Sequence, residues 1–286
     1  MIVPRVVALL VLLSACSTPD DRVTATASAP PPDPAFVELE RRFDAQVGVY
    51  AVDTGSNREV SYRADQRFAF ASTFKALAAG LVLKAHEGGL DRVFRYSPAE
   101  IVDHSPVASG KTGLTVLETC DAAVRYSDNT AGNLLLRDLG GPKGFTAALR
   151  DLGDETTRSN RTEPTLNDTS PGDFRDTSTP RALATTLRTL LTTDRLPDTP
   201  KSILLDLLHR NTTGDKTIRA GTPEGWTVGD KTGTAAYGTR TDIAVVTPPG
   251  RAPILLAVLT THTNKDASSD DALVAEAIRM ALEHFS

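Results

Sequence analysis

Apolar and polar residues alternate near both ends of the chain, whereas through the middle the apolar positions recur at helical spacing. Alternation over four to eight residues is typical of a strand with one buried face. It predicts five strands, at residues 47–52, 59–62, 226–228, 241–246 and 253–259. The first two are separated by the turn-forming residues 53–57, so they form a hairpin.

Helical periodicity marks both termini of the folded part and most of its centre. It predicts terminal helices at 35–43 and 270–284, and central helices at 72–84, 114–125, 131–139 and 180–190. The strands from the two ends must meet to form one sheet. We therefore predict an α+β fold with an antiparallel five-stranded sheet, flanking terminal helices and an all-helical lobe.

The predicted folded domain covers residues 35–286 and is divided into two lobes. Residues 35–65 and 216–286 form the α/β lobe, and residues 66–215 form the helical lobe. A cleft between two lobes is the usual place for a small-molecule site.

The N-terminal segment resembles an export signal. An apolar run of eight residues, 6–13, follows Arg5; it is shorter than the roughly 20 residues that span a bilayer and fits a signal peptide over residues 1–15. Leu13-Ser14-Ala15-Cys16 resembles a bacterial lipobox with Cys16 as the lipidated residue, and a plain signal peptide is the alternative. Residues 16–34 are rich in Pro, Ala and Thr and predict a flexible tether. We expect an exported protein, anchored by lipid on the outer face of the cell membrane or secreted.

Composition excludes several function classes. The formal net charge of −5 argues against nucleic acid as a partner. The five histidines lack zinc-site spacing, which disfavours a zinc hydrolase. We expect no metal and no other cofactor. If Cys16 is lipidated, Cys120 has no cysteine partner and no intrachain disulfide forms. The apolar residues are assigned to predicted helices and strands, which favours a monomer.

Ser72 and Lys75 are the first residues with candidate chemistry. They lie three positions apart at the predicted start of a helix, so the lysine amine can reach the serine hydroxyl. A desolvated lysine can act as a base toward such a hydroxyl. A serine that only caps the helix is the structural alternative.

Two further short motifs follow in order. Ser127-Asp128-Asn129 comes directly after a predicted helix, and Lys231-Thr232-Gly233 follows a predicted strand. Each is weak alone, because a polar turn explains the first and a second Lys-Thr-Gly occurs at residues 111–113. The ordered set, however, resembles class A β-lactamases and penicillin-binding proteins. The resemblance extends from about residue 35 to the C-terminus.

The segment Arg161-Thr162-Glu163-Pro164-Thr165-Leu166-Asn167 is similar to the Ω-loop motif of class A β-lactamases. The resemblance implies that Glu163 and Asn167 hold a hydrolytic water, that Asp176 pairs with Arg161 to close the loop, and that the bond before Pro164 is cis.

The resemblance also implies a role for each remaining site residue. Ser72 is the nucleophile, Lys75 or Glu163 takes its proton, and Ser127 passes a proton to the leaving nitrogen. The residues implied to bind substrate are Asn129, Asn167, Lys231, Thr232, Gly233, Thr234 and Arg240, with His104 at the rim. The residues implied to support the site are Asn133, Arg161, Asp176 and Asp230.

The implied activity is hydrolysis of the β-lactam amide of penicillins, and of cephalosporins second, which confers resistance. Two alternatives stay open: a penicillin-binding DD-peptidase and a penicillin-sensing lipoprotein that does not hydrolyse its ligand. Glu163 and Asn167 favour the hydrolase, because the peptidase lacks this loop and the sensor would not need it.

Overall fold

The computed structural model describes residue 2 and residues 33–286. Apart from Ile2, the predicted signal peptide, Cys16 and the tether as far as residue 32 lie outside the described residues. The first helix begins at Pro34 and is capped by the Asp33 carboxylate, so residues 33 and 34 belong to the helix and not to the tether. Among residues 33–286, none of the helices combines the length and apolar character that crossing a bilayer requires.

Strands from both ends of the chain form one antiparallel sheet, in the order β2-β1-β9-β8-β7. The strands of the described chain are β1 (Gln46–Asp53), β2 (Glu59–Tyr62), β3 (Phe68–Ala69), β4 (Val93–Arg95), β5 (Gly113–Thr115), β6 (Thr177–Ser178), β7 (Thr227–Ala235), β8 (Thr239–Thr247) and β9 (Ile254–Thr261). The predicted five-stranded sheet and its hairpin β1–β2 are confirmed.

Helices cover the sheet and form the rest of the molecule. They are α1 (Pro34–Phe43), α2 (Phe74–Ala85), α3 (Val116–Arg125), α4 (Asn129–Asp138), α5 (Gly141–Asp151), α6 (Pro180–Thr192), α7 (Asp198–His209), α8 (Ile218–Gly221) and α9 (Asp271–Glu283). All six predicted helices are present. Helices α5, α7 and α8 had not been individually predicted, nor had the two small sheets β3–β6 and β4–β5 within the helical region.

Two apolar cores lie on opposite faces of the sheet because side chains alternate along each strand. Val49 and Ala51 of β1 face α1 and α9, in the core that contains Phe36. Tyr50 and Val52 of the same strand belong to the larger core shared with α2 and α6. The larger core joins the sheet to the helical lobe. It therefore fixes the position of α2 relative to β7, and α2 begins just after Ser72.

Candidate active site

Ser72 lies in a single 3-10 turn, Ala71–Thr73, that runs directly into α2. Neither this turn nor α2 has a side-chain cap, so the reading of Ser72 as a helix cap is wrong. Ala71 has a φ of 46°, in the left-handed region that is costly for a residue with a Cβ. Backbone strain of this kind is found where a reactive group is held in place.

Lys75 is completely buried beside Ser72. Its Nζ donates to Ser72 Oγ at 2.8 Å, to the Ser127 carbonyl oxygen at 2.8 Å and to Asn129 Oδ1 at 2.6 Å. It also lies 2.9 Å from Glu163 Oε1. Three acceptors besides the nucleophile therefore hold the amine at the serine oxygen.

Lys231 approaches the same cavity from β7. Its Nζ donates to Ser127 Oγ at 3.1 Å, and Lys75 Nζ lies 3.5 Å from that oxygen on the other side. Ser127 has a φ of 56° and immediately precedes Asp128, which caps α4 through the Ala131 amide. The hydroxyl thus lies between two lysine amines.

Burial lowers the pKa of both lysines. Burial lowers the pKa of Lys75, although the nearby Glu163 carboxylate opposes this effect. Burial and the positive charge of Lys75 lower the pKa of Lys231 to about 7. Both amines can therefore exchange protons nearer neutral pH than an ordinary lysine.

Glu163 closes the opposite side of the serine. Ser72 Oγ donates to Glu163 Oε1 at 3.2 Å, and Asn167 Nδ2 donates to Glu163 Oε2 at 2.6 Å. Asn133 holds the glutamate backbone from α4, because its amide donates to the Glu163 carbonyl and accepts from the Glu163 N–H at 2.9 and 2.8 Å. The Glu163–Pro164 bond is cis, as the resemblance implied.

The ends of the loop 161–176 are joined by a buried ion pair. Arg161 Nε donates to Asp176 Oδ2 at 2.6 Å, and the other oxygen of Asp176 accepts from the Asn160 and Arg161 amides. The Asp176 side chain is 1% exposed. This arrangement is the loop closure that the resemblance implied, and it carries Glu163 on the closed segment.

The remaining predicted residues border a cleft of about 350 Å³. Its lining residues are Ser72, His104, Ser127, Asn129, Asn167, Thr213, Thr232, Gly233, Thr234 and Arg240. His104 is exposed at the edge, and its carbonyl accepts from the Asn129 amide at 2.9 Å. Arg240 Nη1 donates to Thr234 Oγ1 at 3.1 Å, so a guanidinium and a hydroxyl face the cleft together.

Several supporting residues were missed because no short motif contains them. Asp271 at the start of α9 accepts from Arg240 Nε at 2.6 Å. Asn211 and Arg219 donate to the buried Asp230 at 2.6 and 2.7 Å. The predicted support residue Asp230 thus lies behind Lys231 and not in the cleft.

A family model described as the β-lactamase enzyme family matches residues 33–285. A β-lactamase of Amycolatopsis lactamdurans is 55% identical, over 89% of this chain and 87% of its own. The β-lactamase AST-1 of Nocardia asteroides is 54% identical over 92% and 86%, respectively. A class A β-lactamase structure from Clostridium kluyveri has a TM-score of 0.86 at 49% identity, over 88% of this chain and 97% of the other.

The chain belongs to the class A β-lactamase family. Its catalysed reaction is accordingly the hydrolysis of a β-lactam, the activity that confers resistance to these antibiotics. The α+β architecture, with a five-stranded sheet and a helical lobe, is that of the class A β-lactamase structures. The relatives argue against the two alternatives, a DD-peptidase and a non-hydrolysing sensor.

Proposed function

We propose that this β-lactamase hydrolyses penicillins, and cephalosporins second, through an acyl-enzyme on Ser72. The observation that supports it is the position of Ser72 Oγ, 2.8 Å from Lys75 Nζ and 3.2 Å from Glu163 Oε1. A serine hydroxyl is a weak nucleophile until a neighbouring base takes its proton. Lys75 and Glu163 both contact the oxygen and can both take that proton.

The first step forms the ester. Ser72 Oγ attacks the lactam carbonyl, and the backbone N–H groups of Ser72 and Thr234 stabilise the developing oxyanion. The C–N bond of the ring breaks, and Ser127 gives its proton to the leaving nitrogen. Lys75 and Lys231, which flank Ser127 Oγ, supply a replacement proton.

The second step regenerates the serine. Glu163 takes a proton from a water that attacks the ester carbonyl, and Asn167 orients both the carboxylate and that water. The bond between the carbonyl carbon and Ser72 Oγ then breaks, and Glu163, which contacts Ser72 Oγ, returns the proton to it. The substrate carboxylate binds Arg240, Lys231, Thr232 and Thr234. A carboxylate accepts charge-assisted hydrogen bonds from a guanidinium and hydrogen bonds from the adjacent hydroxyls. Asn129 and His104 border the side-chain end of the cleft.

Intact-mass measurement of Glu163→Gln with benzylpenicillin tests the assignment. The variant should gain the mass of one penicillin and keep it, whereas the parent enzyme turns over and Ser72→Ala gains no mass. Turnover by Glu163→Gln at the parental rate would contradict the role of Glu163. A panel of penicillins and cephalosporins, compared by kcat/KM, tests the proposed order of substrates.

We also propose export with lipid attachment at Cys16. The supporting observation is the apolar run 6–13 followed by Leu13-Ser14-Ala15-Cys16. The parent protein should sediment with membranes and carry a labelled fatty acid, and Cys16→Ser should do neither. Light scattering of residues 33–286 should give the mass of a monomer.

A further inference from the structure

Thr213 borders the catalytic cleft, although none of the short motifs in the sequence contains it. It lies in the loop between α7 and α8, on the side of the cleft that also carries Thr232, Thr234 and Arg240. Its carbonyl oxygen lies 3.5 Å from Arg240 Nη2. Thr213 is therefore next to the groups that bind the substrate carboxylate in the proposed function.

The hydroxyl groups of Thr213 and Thr232 are in direct contact. Their Oγ1 atoms lie 2.6 Å apart, a separation that requires a hydrogen between them. Thr213 Oγ1 also lies 2.9 Å from Asn211 Oδ1. Thr213 thus has two hydroxyl contacts, one toward the cleft and one away from it.

Two further bonds fix the orientation of the Asn211 amide. The Thr213 N–H donates to Asn211 Oδ1 at 3.1 Å, and Asn211 Nδ2 donates to Asp230 Oδ2 at 2.6 Å. The atom that faces Thr213 is therefore the amide oxygen, which can only accept a hydrogen bond.

Counting hydrogens gives the direction of each bond in the free enzyme. A threonine hydroxyl carries one hydrogen and can accept two further bonds. Only one arrangement supplies a hydrogen to both contacts: Thr213 donates to Asn211 Oδ1, and Thr232 donates to Thr213 Oγ1. In this arrangement the Thr232 hydrogen is already used, so it cannot also bond a substrate carboxylate.

A bound carboxylate therefore requires the chain of bonds to reverse. When Thr232 turns its hydrogen to the carboxylate, its 2.6 Å contact with Thr213 needs the Thr213 hydrogen instead. Asn211 Oδ1 keeps the bond from the Thr213 N–H. Both hydroxyl hydrogens are thus bonded before and after the substrate arrives, and only the direction changes.

We propose that Thr213 is a positioning residue for the substrate carboxylate, and that it acts by reversing its hydrogen bond with Thr232. The inference rests on the proposed function, because it takes the β-lactam carboxylate as the acceptor for Thr232. Thr232 is only 3% exposed, so a filled cleft leaves no room for water to replace a missing donor to its oxygen. A hydroxyl that accepts one bond is also a stronger donor in the next.

Steady-state kinetics of Thr213→Val with benzylpenicillin test the proposal. Valine keeps the shape of threonine and removes the hydroxyl. In the free variant, water in the open cleft can bond the Thr232 hydroxyl, but with substrate bound the Thr232 oxygen has no donor. KM should rise by about fivefold, the usual effect of losing a neutral hydrogen bond. The turnover number kcat should stay within about twofold, because the carboxylate is bound equally in the ground state and the transition state.

A double-mutant cycle shows whether Thr213 acts through Thr232. Thr232→Val alone should raise KM, and adding Thr213→Val to it should raise KM no further. Thr213→Ser keeps the hydroxyl and should restore the parental KM. Thr189→Val is the control, because this exposed hydroxyl on α6 donates to the Thr185 carbonyl, and both constants should equal those of the parent.

Four results would overturn the proposal. A parental KM in Thr213→Val, together with a raised KM in Thr232→Val, would remove Thr213 from carboxylate binding and leave the proposed function intact. Additive increases in the double variant would mean that Thr213 acts independently of Thr232. A raised KM in Thr213→Ser would attribute the effect to packing. A parental KM in Thr232→Val would contradict both this proposal and the assignment of the carboxylate to Thr232.

Discussion

Gly233→Ala is expected to disable the enzyme by moving β7 away from the nucleophile. A Cβ on Gly233 would lie 2.8 Å from the backbone nitrogen of Ser72, 2.9 Å from Ala71 Cβ and 2.5 Å from Thr241 Oγ1. Ordinary contacts begin at 3.4 Å, so the strand and the serine turn must separate by roughly 0.6 Å at the Ser72 nitrogen alone (3.4 minus 2.8). Rotation of the Thr241 side chain can relieve the contact with Oγ1, but the contact with the Ser72 nitrogen can be relieved only by movement of the backbone.

The separation lies within the proposed oxyanion hole. Widening it by that amount should cost one of the two N–H donors, and loss of one donor typically lowers kcat by about 10²–10³-fold. Forced overpacking should also lower the free energy of unfolding by about 1–3 kcal/mol. Stopped-flow acylation with a chromogenic cephalosporin measures the first effect and urea unfolding the second. Gly89→Ala is the control, because its Cβ meets only the His86 carbonyl, at 3.8 Å. A folded Gly233→Ala that acylates at the parental rate would refute the steric reasoning.

The remaining predictions concern charge and loop closure. Because the pKa of Lys231 is about 7, raising the pH through that value removes its charge, and kcat/KM for a penicillin should fall on the alkaline side. Lys231→Arg stays charged, so the alkaline fall in kcat/KM should move to higher pH in that variant. An alkaline fall at the same pH in both enzymes would count against Lys231. Arg161→Gln leaves Asp176 buried without its ion partner and should cost about 3 kcal/mol in urea unfolding; a change below about 1 kcal/mol would show that the pair is dispensable. Asn133→Ala removes both bonds to the Glu163 backbone and should slow deacylation more than acylation in burst kinetics; equal slowing would contradict a specific effect on Glu163.

The sheet was predictable because each of its strands has a local signal. Alternation predicted β1, β2, β8 and β9 to within about two residues at either end. Strand β7 was predicted to end at Val228 but continues to Ala235. Gly229, Asp230 and Gly233 are poor strand formers, and pairing with β8 on one side and the serine turn on the other overrides that preference.

The site was predictable wherever its residues fall in short motifs. Ser72, Lys75, Ser127 and Glu163 come together as the resemblance implied. Their partners were not predictable, because each is set by packing of distant elements. In the sequence, Asp271 is an ordinary acidic residue in the first turn of a helix, where its negative charge interacts favourably with the helix dipole. Only the fold shows that its carboxylate accepts a hydrogen bond from Arg240.

The buried Asp242 illustrates the same limit. It lies opposite Thr232 in the β7–β8 register, accepts from Thr217 Oγ1 at 2.6 Å and is completely buried. Burial and the neighbouring Asp230 raise the pKa of Asp242 well above its usual value. In the sequence it is simply a polar residue in an alternating strand, since alternation alone does not reveal that both faces of this sheet are covered.

The position of β9 has a consequence for how the chain can be synthesised and folded. It lies in the middle of the sheet, paired with β1 on one side and β8 on the other, yet it is the last strand made. Until residue 261 has been synthesised, the edge of β1 that later pairs with β9 is unpaired and exposes apolar residues. About two hundred residues of chain separate the two strands, so this pairing forms late. A chain cut short before β9 therefore loses the centre of its sheet and not an edge. Such truncations should yield protease-sensitive, aggregating products, and not partly active enzyme.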